Sequence, residues 1–393
     1  MESRMLAPPL IVDRPSANVS MIVMIPACNE RELLRTIHSL ACCGPPHCAV
    51  EVIVVVNEAE GCRQEISSQN DRTLALLNDW KEKHQEAFFI LYPVRPRPFP
   101  RKHAGVGLAR KTGMDEAVSR FNQLDKPQGV IISLDADTLV DASYLVEIEK
   151  LFFYSERTPV GATIRFEHRT NELRDEQQRE GMTLYETYLH YYKQALEFSG
   201  YPYAIYTIGS AFAVRADAYV KQGGMSQRQA GEDFYFLHKL TQLGPLAELN
   251  TTCVYPSARV SDRVPFGTGA VLQKWVKGDE RLRHTYCFRS FLDLKDFFQL
   301  VPLLYRQECL HPEEWGIAEP VLHFLKEDHF GDALDGIKRN SSSAATFEKR
   351  FFQYFNAFKI LKFQNFTHLK FYSFQDLNEA FEELLEAVEG RRQ

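Results

Sequence analysis

No stretch of this chain approaches the ~18 consecutive apolar residues of a membrane-crossing helix. Its strongest runs, Val52 to Val56 and Ala87 to Tyr92, have strand length. The protein is therefore expected to be soluble or at most peripheral. The N-terminus has no basic start followed by an apolar core and a small-residue cleavage site, because Pro8, Pro9, Asp13, Arg14 and Pro15 interrupt it. A cytoplasmic location follows as the expectation, with membrane association left open. The eight cysteines have neither the paired CxxC spacing of a zinc site nor a regular framework, so free buried thiols are expected rather than disulfides. A basic excess is also missing: 46 Lys and Arg stand against 52 Asp and Glu, a formal charge of −6, which argues against a nucleic-acid partner. With no Walker A loop and no GxSxG, P-loop enzymes and the common nucleophilic hydrolases are disfavoured. The histidines have no metal-ligand spacing.

What is present is an ordinary globular composition over 393 residues, 45% hydrophobic and 25% charged, enough for two to three domains or one large α/β domain with an appendage. The periodicity predicts strands at 19–25, 50–56, 88–92 and 129–134, alternating with helices at 29–40, 68–86 and 104–121. Repeated βαβ units make a doubly wound sheet, in which ligands lie beyond the carboxyl ends of the strands. Further on, strands are predicted at 160–166, 206–214 and 253–255, and helices at 171–198 and 232–243. From Phe291 the pattern is helical. Phe347, Phe351, Phe355 and Phe358 read as one core-facing stripe, and Ser373 to Asp376 as a capping box opening the last helix.

Four places carry residue types suited to chemistry. Strand 129–134 delivers Asp135 and Asp137, two carboxylates able to face a cation bridging nucleotide phosphates, or alternatively a turn and helix cap. Glu232 and Asp233 open an apolar helix. The helix dipole explains an acidic pair there, and so does a general base acting on an acceptor hydroxyl. The stretch 95–113 is basic, holding Arg95, Arg97, Arg101, Lys102, His103, Arg110 and Lys111. It enters a helix through Gly105 and Gly107, where backbone N–H groups can approach a phosphate. Arg110 and Lys111 are the expected contacts, the loop before them being read as mobile. Finally, the polar loop 257–269 offers Asp262 as a further metal ligand or Arg263 as a phosphate clamp, with a salt-bridged turn as the alternative.

In order, Ile25-Pro26-Ala27-Cys28-Asn29-Glu30, Val55-Val56-Asn57-Glu58, Gly107 to Gly113, Asp135-Ala136-Asp137 and Gly231-Glu232-Asp233 together resemble a glycosyltransferase family 2 enzyme of the GT-A fold, over about residues 18 to 280. The resemblance implies a GT-A type doubly wound mixed sheet flanked by helices. It implies a lead at 1–17, a catalytic domain at 18–285 divided into a nucleotide-binding half (18–140) and an acceptor half (141–285), and a mostly helical accessory domain at 286–393. It also implies that Pro26, Asn29, Glu30, Asn57, Glu58, Arg110, Lys111 and Asp135 contact the nucleotide, and that Asp135, Asp137 and Asp262 hold Mn2+ or Mg2+. Asp233 is then the catalytic base, with Glu232 beside it. Asn57 stands where the family usually has Asp, which leaves nucleotide preference open. The processive Gln-x-x-Arg-Trp motif is missing, which disfavours a polysaccharide-extruding synthase.

The expected reaction is transfer of one sugar from a nucleotide diphosphate donor to a hydroxyl of a glycan, a lipid-linked sugar or a small molecule, with inversion. A retaining transferase, a sugar nucleotidyltransferase and a non-catalytic carbohydrate-binding protein are the alternatives. Tyr185, Tyr188 and Tyr192 make either an aromatic face for a sugar or a core stripe. Peripheral membrane contact and a homodimer stay open.

Overall fold

The computed structural model describes residues 9–229, 231–260, 267–306 and 312–390. In chain order its elements begin with β1 Val19–Ala27, α1 Leu33–Ala41, β2 Ala49–Val56, α2 Gln64–Lys83, β3 Phe89–Val94, α3 Val106–Gln123 and β4 Val130–Ser133. Then come β5 Leu139–Val140, α4 Tyr144–Glu149, β6 Gly161–Phe166, α5 Glu176–Phe198, β7 Phe212–Arg215, α6 Ala216–Lys221, α7 Glu232–Leu240 and β8 Leu246–Tyr255. The remainder is mostly helical: α8 Thr268–Val276, β9 His284–Thr285, α9 Phe288–Gln299, α10 Val301–Arg306, α11 Glu319–Glu327, α12 Phe330–Arg339, α13 Ala344–Tyr354, α14 Ala357–Lys370, β10 Gln375–Asp376 and α15 Leu377–Glu389.

Contacts divide the chain into two compact units. The first runs to Arg174 and resumes over Thr207–Gln273; the second joins Asp175–Tyr206 to the chain from Lys274 onward. The sequence alone divides the chain at 285, whereas the contacts draw the line earlier and give α5 to the helical unit.

The first unit is built on one sheet of order β3-β2-β1-β4-β7-β6-β8-β5. Strands β3, β2, β1 and β4 are parallel, β7 is antiparallel to both β4 and β6, and β8 runs parallel to β6. This is the doubly wound mixed sheet with flanking helices that the sequence predicts. The central strands are apolar on both faces because both are covered: Val19, Met21, Ile22, Val23, Met24 and Ile25 of β1 are fully buried. Gly113 lets α3 lie close on the sheet, since a Cβ there would sit 2.3 Å from Met24 Cγ.

One charge interrupts the apolar run of β2. Glu51 is fully buried and takes both Nε and Nη2 of the equally buried Arg120, on α3, at 2.5 Å. Arg120 also lies over the Tyr92 ring, 4.6 Å from its centroid, and donates to the Asp13 carbonyl at 2.9 Å. Removing one partner of such a pair leaves a buried charge uncompensated, which costs about 3–5 kcal/mol. Glu51→Gln is accordingly expected to destabilise the protein by about 3 kcal/mol, measured as a drop in the urea midpoint; an unchanged midpoint would show the pair to be dispensable.

The second unit is held by aromatic rings. Tyr191 of α5 is fully buried against Phe291 of α9 and Phe381 of α15. In the core further along, Phe297 meets Phe330 and Phe355 edge to face and Phe351 at a tilt, Phe330 meets Phe351 edge to face, and Phe351 and Phe355 stack. The predicted stripe fails at its last member: α13 ends at Tyr354, so Phe358 belongs to a new helix, α14, and is 41% exposed. The last helix is likewise capped by Asp376, which accepts from the N–H groups of Asn378 and Glu379, and not by Ser373. Tyr188 and Tyr192 stack with centroids 6.1 Å apart.

All seven described cysteines are free, but only Cys43 and Cys253 are buried, and burial pushes both thiols up to about 12. Among the described residues no helix is long and apolar enough to cross a membrane.

Candidate active site

The chain leaves β1 toward β2 and β3 on one side, then returns to place β4 on the other. The carboxyl ends of β1 and β4 therefore flank the reversal of strand order, where open α/β sheets bind ligands. Asn29, just past β1, adopts a left-handed backbone with φ 50°, which ends the helical reading of 29–32 and delays α1 to Leu33. Its N–H donates to Asn70 Oδ1 at 2.9 Å, while Asn70 Nδ2 donates to the Asn57 carbonyl at 2.9 Å and to Glu58 at 3.3 Å. One side chain of α2 thus ties together the exits of β1 and β2. Asn57 spends its own amide on the Ala27 carbonyl at 3.0 Å, and Glu58 accepts from Arg95 at 2.9 Å. Pro26 lies within β1, opposite Val55.

The centre of the site is Arg110, whose side chain is 2% exposed. Its Nε donates to Glu232 at 3.0 Å and its Nη2 to Asp135 at 2.9 Å, while Nη1 reaches the Gly209 carbonyl at 2.8 Å and Ser133 Oγ. Ser133 donates to the same carbonyl at 2.8 Å. Burial opposes the arginine's charge, yet Asp135, Glu232 and Asp233 outweigh it and raise its pKa above the usual value. Asp233, in the first turn of α7, follows Gly231, whose φ of 71° is open to glycine at little cost. Burial, then Glu232, pushes the Asp233 carboxyl up to about 7, against the pull of Arg110. Gly209 lies against both groups: a Cβ there would be 2.7 Å from Arg110 Nη2 and 3.2 Å from Asp233 Oδ2. The sequence predicts residues 206–214 as one strand, but β7 starts only at Phe212, because the Gly209 carbonyl serves Arg110 and Ser133 instead of a ladder.

A second arginine joins the two strand exits. Arg259, after β8, donates Nη1 to Glu30 Oε1 at 3.1 Å and Nη2 to Asp137 Oδ2 at 2.9 Å, with Nη2 also on Glu30 Oε2. Glu30 is 1% exposed as a side chain and also accepts the Glu32 N–H at 2.8 Å. Burial works against the Arg259 charge, but Glu30 and Asp137 raise its pKa.

Of the residues singled out by sequence, the fold gathers Glu30, Arg110, Asp135, Asp137, Glu232 and Asp233 around these two guanidiniums. Lys111 faces elsewhere, bonded to Asp115 at 2.8 Å, which also accepts from Tyr219 at 2.7 Å. The glycines before α3 serve close backbone approach: a Cβ on Gly107 would lie 2.1 Å from the Arg228 carbonyl oxygen, and one on Gly105 2.9 Å from that of Gln229. In the loop before them, Arg101 donates to the carbonyls of Glu60 and Gly61 at 2.9 and 3.0 Å. Asp262 and Arg263 lie outside the described residues. Sequence reasoning passed over Asn70, which carries no signal in an amphipathic helix. It also passed over Arg259, whose signal was its place in the polar loop already singled out.

Among the described residues five carboxylates face two guanidiniums here, a surplus of acid receptive to a cation. Among the described residues no three His, Cys, Asp or Glu side chains form a closed metal cage. Asp135 and Asp137 keep 34% and 23% of their side-chain surface exposed. Two partly exposed carboxylates fit a hard divalent ion that takes its other oxygens from phosphate and water.

Residues 22–222 match the family model described as glycosyl transferase family 2. No curated protein matches the sequence. Among solved structures the chain is similar to residues 1–349 of TarS from S. aureus in complex with UDP-GlcNAc, at 12% identity and TM-score 0.45, covering 85% of this chain and 92% of that one. It is also similar to the mannosyltransferase PcManGT from Pyrobaculum calidifontis in complex with GDP-Man and Mn2+, at 14% identity and TM-score 0.39, covering 93% and 89%. Both likenesses are distant.

Proposed function

Because the chain belongs to glycosyl transferase family 2 and is a glycosyltransferase, we propose that it moves one sugar from a nucleoside diphosphate donor to an acceptor hydroxyl with inversion, using Asp233 as general base. The observation that carries this reading is the buried Arg110, which fixes Asp135 at the end of β4 and Glu232 at the start of α7 in one rigid cluster beside Asp233. In the proposed reaction the acceptor oxygen forms a bond to the anomeric carbon as the bond from that carbon to the diphosphate oxygen breaks. The acceptor proton passes to Asp233. A carboxyl that titrates near 7 suits this task better than an ordinary aspartate, because it binds the arriving proton more tightly while staying substantially ionised at neutral pH. The Phe234 N–H donates to Asp233 at 2.8 Å and Arg110 attracts its carboxylate, while Glu232 repels it and keeps its proton affinity high. Asp135 and Asp137 would hold a Mn2+ or Mg2+ ion, which when bound neutralises charge on the departing diphosphate.

The test is release of nucleoside diphosphate from a panel of UDP- and GDP-sugars in the presence of Mn2+. Wild type is expected to release it at least about 10–100-fold faster than Asp137→Ala. Equal release by the two proteins would sink the reading.

A further inference from the structure

The two arginines of the site differ in how firmly they are held. Arg110 issues from a helix, is almost wholly buried and satisfies four acceptors of the protein itself. Arg259 issues from the loop after β8 and keeps 32% of its side chain exposed. Yet it rests on the two carboxylates that close the crevice from either side, Glu30 past β1 and Asp137 past β4.

We propose that Arg259 fills the cation position of the donor site in the nucleotide-free protein, so that a divalent ion gains Asp137 only together with the diphosphate that draws Arg259 away. The proposal rests on the donor site put forward above. A divalent ion arriving alone would have to displace a guanidinium from Asp137 Oδ2 and then sit beside the displaced charge. It would also break the contact of that guanidinium with both oxygens of Glu30, a carboxylate only 1% exposed. A diphosphate removes both obstacles. Its oxygens offer Arg259 a bidentate anionic partner in exchange for the carboxylates, and they supply the remaining ligands of a hard divalent ion. Nucleotide and metal then bind as a pair.

The experiment titrates MnCl2 into the nucleotide-free protein and follows unbound Mn2+ by its electron paramagnetic resonance signal, then repeats the titration with saturating UDP or GDP. Wild type is expected to bind Mn2+ weakly alone and clearly with nucleotide. Arg259→Ala should bind Mn2+ alone about tenfold more tightly or better, with a smaller nucleotide-induced gain. Arg259→Lys, which keeps a cation but spans only one carboxylate, should lie between and carries the test if the alanine variant melts. If wild type takes up Mn2+ with nucleotide but neither variant binds Mn2+ alone more tightly than wild type does, the proposal is overturned and the donor site stands. If wild type binds Mn2+ neither alone nor with nucleotide, the metal-dependent donor site falls and the proposal falls with it.

Discussion

Asp233→Asn is expected to lower turnover by about 10²–10⁴-fold, the usual weight of a positioned general base, while donor affinity stays close to that of wild type. The substitution is nearly isosteric and keeps an oxygen for the Phe234 N–H, which Asp233 accepts at 2.8 Å. What it removes is the ability to take a proton. The same carboxyl sets the direction of the pH dependence. Burial first and Glu232 second raise it to about 7, so it carries a proton below that value and acts as base above it. kcat/KM of wild type should therefore rise with pH through about 7 and level off above, falling about tenfold per pH unit on the acid side. A wild-type profile flat between pH ~5 and ~8, or an asparagine variant with near-normal turnover, would remove Asp233 as the base.

Arg110→Ala should be the most damaging single change in the first unit. Deleting one partner of a buried ion pair costs about 3–5 kcal/mol, and here the lost guanidinium serves Asp135 and Glu232 directly and lies close to Asp233. The carboxylates left behind would repel one another, and the Gly209 carbonyl would lose a donor. A fall in the urea midpoint corresponding to several kcal/mol is expected together with loss of turnover. Arg110→Lys should recover part of the stability and little of the activity, because an ammonium cannot reach helix α7 and strand end β4 with the fork geometry of a guanidinium. If Arg110→Ala kept wild-type stability and lost only donor affinity, the residue would be a ligand contact and not a structural joint.

How much of this is legible in the sequence depends on whether a feature is local. The apolar runs of β1, β2 and β4 and the acids that follow β1 and β4 or open α7 are legible because periodicity and strand ends are written in neighbouring residues. Glu51 is not: inside an apolar strand it looks like an interruption, and its meaning lies in Arg120 on another element. Lys111 and Arg110 look equivalent in a basic stretch, yet successive helix positions face different surroundings, and one becomes the joint of the site while the other pairs with Asp115. Gly209 reads as part of a strand because flexibility and extension leave the same trace. Phe358 continues a spacing that the chain breaks by ending one helix and starting another. Arg259 is legible as a residue of a polar loop, but its partners, Glu30 and Asp137, are known only from three-dimensional placement.

The Arg259 contact also constrains the order in which this molecule can become itself. It closes a loop of 229 residues and Arg110 to Glu232 one of 122, and such non-local closures form late because chain entropy must be overcome before they are rewarded. A nascent chain that has emerged only as far as Asp137 already contains Arg110 and Asp135 but lacks Glu232, Asp233 and Arg259. Its strand-end acids await partners still being synthesised. The site is therefore a seal on the finished unit, and any fragment meant to retain it must extend past β8.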